Sequence, residues 1–203
     1  MTRDGSKTRQ KILDAALDLV LAYGYSGTTL DRVIERSGIT KGSFFYHFDS
    51  KADLAHALIQ QFAANDEATL RATLAEAEAR SDDPLEQVVA FVELFEKEMA
   101  GLEGPHPGCL FASYMAESEL FGPETLAVAR DAMELWKVVL GEKFAQVMET
   151  HPPACEVDPQ SVADGITVVF EGSFILSKTY RDPGAIAEHL AHYRRYIELL
   201  FAQ

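Results

Sequence analysis

The stretch at residues 28–48, TTLDRVIERSGITKGSFFYHF, holds two short amphipathic segments joined by Ser37-Gly38-Ile39. The first, of about ten residues, stops at Gly38, because glycine takes the left-handed conformation that closes a helix and Ile39 can then turn back into a small core. Thr40 caps a second, shorter helix whose first turn carries Lys41, Gly42 and Ser43. This is a helix-turn-helix layout, in which the second helix enters the major groove of DNA with its first residues against base edges. Gly42 lets the backbone come close, where a larger side chain would hold the helix away. Phe44, early on the same helix, is expected against a thymine methyl or a sugar. Tyr46, His47 and Lys51 lie beyond the base-reading turn and suit phosphate oxygens, which position without specifying. Phe45 and Phe48 are expected in the core.

Outward from this stretch, everything reads as helix. Ile12, Ala15, Ala16, Leu19 and Val20 recur at three- and four-residue spacing up to a stop at Gly24. Thr28-x-x-Asp31 and Ser50-x-x-Asp53 are capping-box-like starts. Asp83-Pro84, Asp158-Pro159 and Asp182-Pro183 each pair an N-cap acid with a proline at the first helical position, and Gly122-Pro123 marks one further start. No stretch alternates with period two between turn residues, so no sheet is expected. The fold class is all-α with about nine helices, near 6–23, 28–37, 40–47, 51–80, 84–101, 108–119, 123–149, 159–180 and 183–202.

Composition and charge narrow the function. The chain has 203 residues, 47% of them hydrophobic and 25% charged, which excludes a disordered polymer. No apolar run approaches the ~18–20 residues that cross a bilayer, and the polar first ten residues contain no signal-peptide core, so a cytoplasmic protein without membrane contact is expected. Two cysteines, Cys109 and Cys155, are too few for a disulfide scaffold and match no zinc spacing. The net charge is −14, yet residues 1–51 hold eight basic against six acidic groups, leaving +2 there and −16 on the rest. Only this basic head is suited to approach a polyanion. Arg3, Lys7, Arg9 and Lys11 form a basic arm, expected to be disordered, that could follow a minor groove or a phosphate row or simply stay a solvated terminus.

From Ile12 to Leu54 the sequence resembles the tetracycline-repressor (TetR) family of one-component regulators. The resemblance rests on Ala15-Ala16, Gly24-Tyr25, Thr28-Thr29-Leu30, Ser37-Gly38-Ile39-Thr40-Lys41-Gly42-Ser43, His47-Phe48, Lys51 and Leu54. Where the family pattern usually has tyrosine this chain has Phe45, which removes one phosphate donor; Tyr46 keeps its own. The resemblance implies a three-helix helix-turn-helix DNA-binding head at 1–50 and a ligand-binding and dimerisation bundle at 51–203. Thr28, Thr29 and Thr40 join Lys41, Gly42, Ser43, Phe44, Tyr46, His47 and Lys51 as its candidate DNA-binding residues. It further implies a homodimer through the last two helices, presenting two recognition helices to a pseudo-palindromic operator in double-stranded DNA. Those two helices carry wide apolar stripes, Val162, Ile166, Val169, Phe170, Phe174 and Ile175, then Ile186, Leu190, Tyr193, Ile197 and Leu200, which are read as the dimer surface. A small-molecule effector would move the fourth helix, change the spacing of the heads and release the operator.

Aromatic and methionine side chains on the middle helices suit a small apolar ligand: Phe62, Phe95, Met99, Phe111, Tyr114, Met115 and Trp136, joined by Phe170 and Phe174 of the helix at 159–180. Gly108-Cys109-Leu110 resembles a branch of the family that includes repressors of reactive-electrophile responses. A thiol in a first helical turn sees the positive end of the helix dipole, which favours thiolate, and a charged His106 nearby would add to this, so Cys109 is a candidate redox or electrophile sensor. The rival class is a small helical enzyme or carrier with an apolar pocket. It lacks a nucleophile elbow, a phosphate-binding glycine loop and a paired-carboxylate motif, and it leaves the head unexplained. No catalytic residue, metal or cofactor is expected.

Overall fold

Caps written into the sequence set where the helices begin. The computed structural model describes residues 2–202, without the side chains of residues 2–4, and among these residues it holds nine α-helices and no strand. They are α1 Thr2–Tyr23, α2 Leu30–Ser37, α3 Lys41–His47, α4 Lys51–Glu78, α5 Pro84–Ala100, α6 Leu110–Ala116, α7 Pro123–Thr150, α8 Pro159–Tyr180 and α9 Ala185–Leu200. One 3-10 turn, Ser118–Leu120, follows α6. Asp83 accepts from the Leu85 amide at 2.8 Å and Asp158 from the Ser161 amide at 2.8 Å, each with proline at the first helical position. Ser50 accepts from the Asp53 amide at 3.0 Å, and the Asp53 carboxylate reaches back to the Asp49 amide at 3.0 Å.

Three expectations are corrected. The Asp182 carboxylate accepts from the Gly184 amide at 2.8 Å, so it closes a turn and α9 starts only after Gly184. The cap of α2 is Thr29, which accepts from the Arg32 amide at 3.3 Å, and not Thr28. The N-terminal arm is helical from Thr2, since no proline precedes Ile12 and the lone Gly5 does not interrupt the helix; Lys7, Arg9 and Lys11 lie exposed on α1, while the Arg3 side chain is outside the described residues.

The described residues pack as two compact units: those up to Asn65 with Pro107–Arg130, and Asp66–His106 with those from Asp131 onward. In the first, Ile12, Leu13 and Ala16 of α1 are buried with Val33 of α2, Phe44 of α3 and Ile59 of α4. Leu110 and Tyr114 of α6 are fully buried in the same unit.

The second unit is built on α5, α8 and α9, with Phe91, Phe144, Ile166, Ile186, Leu190 and Ile197 at its centre. A Cβ at Gly165 would stand 2.7 Å from the Tyr193 ring, so only glycine admits this approach of α8 and α9, and the Tyr193 hydroxyl then donates to the Val162 carbonyl at 2.6 Å. Burial of Val162, Ile166, Ile186, Leu190, Tyr193, Ile197 and Leu200 corrects the expectation that their stripes are the dimer surface: they form the unit's own core. Of the expected stripes Ile175 stays open, together with residues outside them. Val168 and Ile175 on α8 are 69% and 66% exposed, with Gly172 between them, and Tyr196 and Leu199 on α9 are 45% and 72% exposed.

Candidate nucleic-acid interface

Gly38 ends α2 in the left-handed region, at φ 67° and ψ 31°, with its amide on the Glu35 carbonyl at 3.1 Å and the Ile39 amide on the Ile34 carbonyl at 3.3 Å. This paired closure fixes the turn angle. Thr40 then accepts from the Ser43 amide at 3.2 Å and starts α3. The first turn of α3 is left open: Lys41 and Gly42 are exposed, Ser43 is half-buried, and no atom lies within 4 Å of where a Cβ on Gly42 would be. Tyr46 is 82% exposed and packs its ring edge-on against half-buried His47. Thr29 and Thr40 stand exposed as the N-caps of α2 and α3.

Two expected contacts fall away. Phe44 is 0% exposed, packs edge-on against Phe45 at 5.3 Å and tilted against Phe48 at 5.7 Å, and so lies in the core where it cannot reach a base. Phe45, expected inside, is 44% exposed in its stead. On a seven-residue helix with two adjacent phenylalanines, packing decides which ring turns inward. Thr28 is 3% exposed and donates its hydroxyl to the Gly24 carbonyl at 2.8 Å, which closes the end of α1 rather than facing DNA.

Lys51, read as a phosphate donor, is engaged by the chain. Its ammonium donates to the Tyr25 carbonyl at 2.6 Å and sits 3.9 Å from the centre of the Tyr25 ring. Burial pushes its pKa down, against the opposing pull of Glu117. The Glu117 carboxylate in turn accepts from the Tyr25 amide at 2.6 Å and the Ser26 amide at 2.9 Å. Hydrogen bonding from Ser26, ahead of a smaller opposing cost of burial, holds Glu117 below the usual carboxylate range. Nothing in the sequence near Glu117 signals this role, because its partners lie more than 90 residues away.

The aromatic candidates divide between the units. In the first, Phe62 meets Phe111 edge-on at 4.9 Å, while Tyr114 stacks on Phe121 at 4.1 Å and donates its phenol to the Ala55 carbonyl at 3.0 Å. Burial pushes that phenol far up. Met115 is 38% exposed on the open side of α6. In the second unit, Phe95, Trp136, Phe170 and Phe174 form one cluster, with Phe95 5.7 Å from Trp136 and 5.3 Å from Phe170. Half-buried Met99 packs against the same core. The Trp136 indole donates to the Asp66 carboxylate at 2.6 Å, and burial raises Asp66 against that hydrogen bond. A recess of about 10 Å³ lined by Val20, Val33 and Leu58 has room for one water at most, not an effector.

Cys109 is half-buried at the N-cap of α6, and Cys155 is exposed in the loop before α8. His106 lies flat on Phe174 at 4.2 Å, and burial, then Lys178, lowers its pKa. That direction works against the charged His106 expected beside Cys109.

Comparison with known proteins agrees with this geometry. Residues 12–58 match the pattern of bacterial regulatory proteins of the tetR family, and residues 84–193, more than half of the chain, match the tetracyclin repressor-like C-terminal domain. The transcriptional regulator AcuR of Cereibacter sphaeroides is 26% identical over 180 residues, 86% of this chain and 78% of its own. LmrA of Bacillus subtilis, an HTH-type transcriptional regulator, is 28% identical over 179 residues, 86% of this chain and 88% of its own. The crystal structure of a TetR-family transcriptional regulator from Agrobacterium tumefaciens shares the fold with a TM-score of 0.79 at 22% identity, covering 98% of this chain and all of that one. Its helix-turn-helix and its two matching domains make this chain a member of the TetR family of ligand-responsive, DNA-binding transcriptional regulators, a family of regulators and not of enzymes.

Proposed function

We propose that the protein is a homodimeric repressor that holds a pseudo-palindromic operator in double-stranded DNA and releases it when a small apolar or reactive effector binds. The observation that carries this reading is the open first turn of α3 behind the left-handed Gly38 turn. Lys41 and Ser43 face base edges there, Gly42 lets the helix settle into the groove, and Thr29, Thr40, Tyr46 and His47 hold phosphates. Residues 1–50 are the DNA-reading part and 51–203 the part that senses and pairs. The pairing faces are the exposed stripes of α8 and α9 around Ile175 and Leu199, since apolar faces of this kind mark association surfaces.

The effector enters among Phe95, Trp136, Phe170 and Phe174, with Met99 as adaptable wall and Asp66 as a polar anchor. Its binding favours the state in which α4 shifts and the Lys51 hold on Tyr25 moves with it; release follows in proportion to its preference for that state. Acting on DNA, the protein works in the cytoplasm.

Selection of bound duplexes from a random pool tests the reading. A two-fold-symmetric sequence should be enriched, and no enrichment at any salt concentration would overturn the proposal. Release of that duplex by N-ethylmaleimide from wild type but not from Cys109→Ser identifies a reactive effector; equal behaviour of the two proteins leaves a reversible one.

A further inference from the structure

We propose that Glu117 is a positioning residue for operator binding, holding the α1–α2 turn of the head in its DNA-reading geometry from the far end of α6. This rests on the DNA-binding reading above. Both backbone groups of one turn residue are held: the Tyr25 amide donates to Glu117 at 2.6 Å and the Tyr25 carbonyl accepts from Lys51 at 2.6 Å. The carboxylate also takes the Ser26 amide at 2.9 Å, so two consecutive backbone donors converge on one anion. Glu117 closes α6, which is anchored in the same unit by the fully buried Leu110 and Tyr114. The fit is close. Gly24 stands at φ 76°, which favours glycine, and a Cβ there would lie 2.7 Å from the Glu117 carboxylate oxygen, so any other residue would have to displace the carboxylate. From the turn the hold passes directly to α2, since Thr28 ties back to Gly24 and the Arg32 guanidinium donates to the Gly27 carbonyl at 3.0 Å. α2 carries the Gly38 turn that aims α3.

A negative charge beside a DNA-binding head repels phosphate, so a residue acting through charge alone would, once neutralised, bind all DNA more tightly. Positioning predicts the opposite for the specific site. The measurement is the ratio of affinities for the selected operator duplex and a scrambled duplex, with the melting temperature of each protein, for wild type, Glu117→Gln and Glu117→Ala. Glutamine keeps one acceptor oxygen and the size of the side chain. The ratio should fall about tenfold for Gln, as expected for loss of one charge-assisted hydrogen bond, and further for Ala. A second readout needs no DNA: hydrogen exchange at the Tyr25 and Ser26 amides, protected in wild type, should accelerate in the same order. An unchanged ratio, or an equal rise in affinity for both duplexes, overturns the proposal. If selection yields no operator, the DNA-binding reading fails, and the exchange experiment still decides the clamp; fast exchange at both amides in wild type overturns it.

Discussion

Lys41 and Phe44 are three residues apart on one short helix and carry opposite roles. Lys41→Ala removes an exposed donor and should lower affinity for the selected operator by about 1–3 kcal/mol, with an unchanged melting temperature. Phe44→Ala opens a cavity under α3 and should cost about 3–5 kcal/mol of stability, so any loss of DNA binding follows unfolding. Thermal melts beside gel-shift titrations separate the two. His106 makes a prediction about pH. Burial, then Lys178, lowers its pKa in the fold, so the folded chain takes up the proton less readily than the unfolded one. Its contribution is unaffected above the unfolded value of about 6.5 and turns against the fold as pH drops through it. Melting temperature should decline on acidification below about pH 6.5, more steeply than in His106→Phe, which keeps the flat ring on Phe174 without titrating. Parallel slopes for the two proteins would refute this.

Among the elements, the last two helices show how an apolar stripe divides its work. Tyr193→Arg places a charge in the core of the second unit and should unfold it. Ile175→Asp and Leu199→Asp sit on open faces and should leave the helix content and melting of the monomer intact while abolishing association. Analytical ultracentrifugation with circular dichroism distinguishes these outcomes; a wild-type chain that remains monomeric at micromolar concentration would defeat the pairing proposed for these faces. The helices themselves were legible because their starts are local chemistry: Thr40, Asp83 and Asp158 cap within three residues of themselves. Which stripe faces inward was not legible, because α8 carries both Ile166 and Ile175 and only the neighbouring α9 decides that the first is buried. Phe44 and Phe45 were misread for the same reason. Glu117 was invisible, since a carboxylate at a helix end has no partner in its own stretch of sequence.

At the scale of the molecule, the unit that holds the helix-turn-helix is not continuous in the chain: residues up to Asn65 are completed by Pro107–Arg130. Residues 1–65 produced alone should lose the Tyr114 and Glu117 contacts and melt non-cooperatively, and joining 107–130 through a flexible linker should restore a sharp transition. Equal cooperativity with and without 107–130 would show that the second segment is dispensable. The same discontinuity sets a clock during synthesis. The ribosome releases the recognition helix long before Glu117 and Phe121 exist, and a head that closes only through distant contacts must wait for them. A nascent chain therefore carries an unfinished reading head until α6 is made, and competence for DNA arrives all at once, after α6 has emerged and docked.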